Sequence, residues 1–178
     1  FIDNDDYFDK RGMECDEAGN EYEDNGERAI FYARGVLETV KKLRWRPDVI
    51  HCQGWISAVA PLYIKTAFKD EPSFDCTKVV FEINDVKLKY NLPENFNSCL
   101  ATRNVTKTFL KKENLKFENA DDLLKLGIKF SDALILGTNE PNKEVVDYAE
   151  SEGKPVLPFV ENPDYASYYG DFYEKLLS

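Results

Sequence analysis

PDVIHCQGWISAVAPLYIK, residues 47–65, decides how the rest of this chain is read. Pro47 cannot continue a helix, so a new unit begins there. Val49-Ile50-His51 then reads as a short apolar strand. Gln53-Gly54 turns the chain into a helical run from Trp55 to Lys69, which Pro61 is expected to kink or divide. A strand feeding directly into a helix is the first half of a parallel β–α–β unit, and the same alternation recurs downstream.

Lys78 to Ile83 (KVVFEI) is a second strand, β-branched and aromatic. Val105 to Lys112 reads as a short helix, and Ala120 to Leu126 as a longer one closed by Gly127 as its C-terminal cap. Ala133 to Leu136 (ALIL) is a third strand. Pro141 to Glu152 is a helix followed by Gly153, with Asn139 placed as its N-cap. Val156 to Phe159 is a fourth strand, and Pro163 to Leu177 an aromatic-rich final helix. Upstream, Ile30, Val36, Leu37, Val40 and Leu43 recur at helical spacing over Glu27–Leu43, with Asn25 or Gly26 as the cap. Residues 1–26 are rich in acids and turn pairs and read as an irregular surface segment. The whole chain, 1–178, is thus expected to be one α/β domain: a Rossmann-like parallel sheet with helices on both faces, its α/β core spanning 27–178.

Composition narrows the partners. The 178 residues carry 33 acidic against 23 basic side chains, a formal net charge of −10. A field of that sign repels phosphate backbones and anionic lipid, so nucleic acid and membrane are excluded as expected partners, while neutral sugars meet no penalty. The four cysteines are scattered and the chain has one histidine. No metal site is expected from that set. Free thiols point to a reducing compartment, the cytoplasm.

In open parallel sheets, ligands bind beyond the carboxyl ends of the strands. Those ends deliver His51 and Gln53 from the first strand, Asn84 and Asp85 from the second, and Thr138 from the third. They are hydrogen-bonding side chains with a single carboxylate, a set that suits a hydroxyl-rich ligand better than a phosphate. Trp55 adds a possible stacking face for a sugar ring, and is equally placed to be core. His51 is alternatively a structural hydrogen-bonder, and Asp85 a strand terminator. No glycine-rich phosphate loop and no Ser–His–Asp arrangement is present.

Four ordered stretches resemble the bacterial glycogen synthase and plant starch synthase family. Residues 47–65 are similar to its P-D-[IV]-[IV]-H-x-H-D-W-H-T segment. FIDNDDYF with YEDNGERAIFYARGVLETV resembles its paired D-N segments, KVVFEIND its V-F-T-I-H-N, and DLLKLGIKFSDALILGT its K-x-G-I-x-x-A-D run. The resemblance implies half of a GT-B fold, expected to lack its opening strand–helix–strand and the nucleotide-gripping domain. It also implies glucose transfer from ADP-glucose or UDP-glucose to α-1,4-glucan, with no cofactor and no metal. The potential partners are then α-glucan, a sugar nucleotide, and a second polypeptide or further domain.

Residue by residue the motif departs from the family. His51 and Trp55 match, but the second histidine falls on Gln53, the aspartate on Gly54, and the glucose-contacting histidine on Ile56. In the next motif T-I-H-N becomes Glu82-Ile83-Asn84-Asp85. A domain inactive alone is therefore expected, the alternative being a non-catalytic glucan- or protein-binding domain of the same descent.

Overall fold

A computed structural model describes residues 4–84 and 88–178. In chain order its helices are α1 (Asp5–Phe8), α2 (Asn25–Lys42), α3 (Ala60–Lys65), α4 (Phe96–Cys99), α5 (Lys107–Lys112), α6 (Ala120–Phe130), α7 (Lys143–Ser151) and α8 (Tyr165–Leu177). The strands are β1 (Val49–Gln53), β2 (Lys78–Ile83), β3 (Ala133–Leu136) and β4 (Val156–Leu157), in the order β1-β2-β3-β4. All three pairings are parallel, with His51 beside Val80, Gln53 beside Glu82 and Ile83 beside Leu136.

The side-chain period of two sorts each strand between two faces. Cys52, Val79, Phe81, Ile83 and Leu134 point into the main core, where α2, α3, α6 and α7 supply Leu37, Leu62, Leu126 and Val145. Val80, Ala133 and Ile135 point the other way and, among the described apolar side chains, pack against Tyr169, Phe172, Tyr173 and Leu176 of α8, with Val49 and Leu157 at the margin. Helices therefore lie on both faces, but unequally. The α8 side is thin: no residue of that helix is buried.

Several local expectations are corrected. The run expected over Trp55–Lys69 is divided, as Pro61 implied, into a 3₁₀ turn at Trp55–Ser57 and α3 with Pro61 in its first turn, where the missing N–H costs nothing, but it ends at Lys65 and not Lys69. Gly127 does not end α6. It sits inside that helix, where a Cβ would come within 2.7 Å of the Phe81 ring, so the glycine permits close helix-to-sheet packing. The cap of α7 is Asn142, whose Oδ1 accepts from the Glu144 N–H, and not Asn139. β4 stops at Leu157, two residues before Phe159.

The N-terminal segment is more organised than its composition implies. α1 is capped by Asn4, which accepts from the Tyr7 N–H. Asn25 lies inside α2 and donates to the Glu14 carbonyl. Arg28, only 1% exposed, donates to the carbonyls of Gly12 and Met13 and to Asn25 Oδ1. Its guanidinium lies 5.2 Å from the ring centres of Phe8 and Tyr22. A buried cation is tolerated there because carbonyl oxygens and aromatic faces replace its water. Among the described residues no helix is long and apolar enough to cross a membrane.

Candidate sugar-binding site at the strand ends

Glu82 organises the carboxyl edge of the sheet. It occupies the penultimate position of β2, on the α8 face, with its side chain 6% exposed. A carboxylate that dry needs donors for its lone pairs. Gln53 Nε2 donates to Glu82 Oε1 at 2.9 Å, His51 Nε2 lies 3.0 Å from Oε2, and the Tyr169 hydroxyl donates to Oε2 at 3.3 Å. Burial pushes the Glu82 pKa up, but these donors outweigh it and hold the group below the ordinary glutamate value.

The register explains why the three meet. His51 and Gln53 are two apart on β1, hence on one face, and Gln53 is the direct partner of Glu82. With Nε2–H directed at Glu82, a neutral His51 leaves Nδ1 to accept from the Tyr173 hydroxyl at 2.9 Å. The imidazole also lies 6.0 Å from the Tyr169 ring and 6.1 Å from the Tyr173 ring. Burial and the neighbouring Glu82 charge push Tyr169 up to about 12, and burial, then Glu82, raises Tyr173 as well.

The other candidate residues have different positions. Asn84 continues from β2, and its Oδ1 is buried without a partner among the described residues. Gly137 lies against it: an added Cβ would come within 2.5 Å of Glu82 Oε1 and closer still to Asn84 Oδ1. Thr138 is half-buried, and its Oγ1 accepts from the Glu140 N–H in a local turn. Asp85 lies outside the described residues. Trp55 is 2% exposed and packs edge-on against Tyr90 with 6.3 Å between ring centres. It presents no face to a ligand, which realises the core alternative.

Ile56, at the position resembling the family's glucose-contacting histidine, is 8% exposed and belongs to the apolar core. Gly54 has φ +67° and ψ −177°, backbone space essentially reserved for glycine. Its N–H donates to the Glu82 carbonyl, and its own carbonyl accepts from Ser57 N–H and Oγ. An aspartate there would strain the turn that joins β1 to the helix.

A separate open cavity of about 670 Å³ is lined by Glu21, Glu23, Lys89, Tyr90 and Glu94, among others, and by none of the candidate residues. Among the described residues no cluster of three or more His, Cys, Asp or Glu is arranged to hold a metal ion. All four cysteines are unpaired. Burial raises Cys52 to about 12, so that thiol is inert.

Sequence reasoning missed Glu82, Tyr169 and Tyr173. Glu82 left a signal: one carboxylate inside KVVFEI, in phase with Val80 and beside Gln53 once the strands are paired. The tyrosines left none, because nothing local to α8 specifies that it crosses the end of β1.

A parallel α/β sheet with a polar carboxyl edge is the class that fold and site define. Residues 1–157 match the family described as starch synthase catalytic domain. The chain belongs to that family. It is 32% identical over 133 residues to a glycogen synthase of Desulforudis audaxviator, covering 75% of this chain and 25% of that protein. It is 33% identical over 142 residues to one of Elusimicrobium minutum, covering 80% and 28%. The catalytic domain of starch synthase IV from Arabidopsis thaliana, solved bound to ADP and acarbose, superposes with a TM-score of 0.60 at 17% identity, over 79% of this chain and 30% of that one. The fold is thus that of one half of a GT-B domain pair, a parallel α/β sheet with helices on both faces. The chain spans about a quarter of the length of these glycogen synthases.

Proposed function

We propose that this domain binds α-glucan at the carboxyl edge of its sheet and does not by itself transfer glucose. The observation that carries this reading is the exchange of reactive polarity for fixed polarity. Ile56 is buried among apolar side chains, and the one imidazole of the edge, His51, is already engaged by Glu82 and Tyr173. An imidazole engaged in this way is not available to stabilise a departing group, and group transfer depends on such stabilisation. The amide, carboxylate and imidazole that remain still match sugar hydroxyls.

In the described residues β1 pairs on one side only, with β2. That free edge supports completion of the sheet by a further strand, and completion of the enzyme by a nucleotide-gripping domain or a second polypeptide. Four unpaired cysteines support a reducing, cytoplasmic setting.

Two assays on the purified protein test the reading. Migration should be retarded in glycogen-containing gels, and radiolabelled glucose should not pass from ADP-glucose to glycogen. Robust transfer by this chain alone, or unretarded migration, overturns it.

A further inference from the structure

The final helix stands apart from the rest of the molecule in two ways. It lies beyond residues 1–157, the part that matches the starch synthase family. It is also held by a shallow apolar seam, Tyr169, Phe172, Tyr173 and Leu176 on Val80, Ala133 and Ile135, with none of its own residues buried. What aims it is polar. The Tyr169 hydroxyl reaches Glu82 Oε2 at 3.3 Å and the Tyr173 hydroxyl reaches His51 Nδ1 at 2.9 Å.

We propose that α8 is an internal ligand of the strand-end site: its Tyr169 and Tyr173 hydroxyls fill the positions on Glu82 and His51 that hydroxyls of a glucan take, so glucan and α8 compete. This rests on the glucan-binding reading above. A phenol offers a hydroxyl on a flat carbon ring, and a sugar offers hydroxyls on a puckered one. A carboxylate oxygen and an imidazole nitrogen accept from either. While α8 is seated, Glu82 is shut from solvent and both acceptors are satisfied, so a sugar gains these bonds only by displacing the helix. Displacement is feasible because segments with few buried apolar contacts open at low free energy. The apparent affinity for glucan is then reduced by the fraction of molecules in which α8 is seated.

The test uses maltoheptaose as probe with the wild-type chain and the double variant Tyr169→Phe/Tyr173→Phe. Phenylalanine keeps the rings on Val80 and Ile135 but removes both hydroxyls. Affinity should rise about fivefold or more in the double variant, since each lost bond weakens the seated state. In the wild type, saturating maltoheptaose should speed hydrogen exchange at the α8 amides. Equal or weaker binding by the variant, or α8 exchange unchanged or slowed by sugar, overturns the competition and leaves glucan binding standing. Binding by neither protein overturns the glucan reading and this inference with it.

Discussion

Gln53 and Glu82 are direct partners across the β1–β2 pair, and the amide Nε2 of the first donates to Oε1 of the second at 2.9 Å. This one contact ties together the two strands whose motifs both depart from the family pattern. It also turns Gln53 from a free sugar-binding amide into one that shares a buried carboxylate with His51 and Tyr169.

Glu82 should therefore contribute stability that depends on pH. Its pKa is depressed in the folded chain, so the contribution is complete above the unfolded value of about 4.3 and disappears as pH falls through the folded value. Glu82→Gln should lower stability by about 1–3 kcal/mol near neutrality, with the gap to wild type closing in acid. Urea midpoints of both proteins from about pH 6 down to about pH 3 check this; a gap independent of pH would show that the carboxylate charge is irrelevant.

The alkaline limb has the opposite sign. Tyr169 is raised to about 12, so its stabilising share is intact below the unfolded tyrosine value of about 10 and lost as pH rises through the folded value. The neutral hydroxyl donates to Glu82, whereas a phenolate would repel it. Helix α8 should loosen in that range while the main core stays folded. Phenolate absorbance followed alongside hydrogen exchange of α8 measures it, and a single global transition would contradict the separation.

Two glycines report on how tightly the edge is set. Gly54→Asp, which restores the residue type of the family motif, should cost about 1–3 kcal/mol because its backbone lies in glycine-only space. Gly137→Ala should also destabilise, since the methyl group meets the Glu82 and Asn84 side chains. Thermal unfolding compares these with a Gly19→Ser control, where nothing lies within 4 Å of an added Cβ. Serine at position 19 still carries the ordinary strain of φ +82°, so a cost at Gly54 or Gly137 no larger than at Gly19 would show that neither site is constrained by its neighbours.

Much of the fold was legible because the chain alternates short β-branched runs with helical periodicities, and each of the four strands appears where its run occurs. The ends of elements were less legible. Gly127 carries the composition of a cap, yet the Phe81 ring requires it mid-helix, a tertiary demand that no local pattern encodes. Asn139 and Asn142 are equivalent as cap residues by type, and backbone geometry alone selects the second. The site was half legible for a related reason. His51 and Gln53 follow from the rule about strand ends, but Trp55 turned inward against Tyr90 and Arg28. Glu82 became a site residue only once the register set it beside Gln53. Arg28, which anchors the N-terminal segment, was hidden because a buried arginine looks like any surface arginine in sequence.

His51 is the chain's only histidine, so its imidazole signals are unambiguous by NMR. Titration with maltoheptaose, followed on those signals, tests most directly the claim that glucan binds at the strand ends. Saturable movement of the His51 resonances, abolished in Glu82→Ala, is the predicted result. His51 signals that stay fixed while the protein is still retarded by glycogen would place the sugar elsewhere and contradict the account.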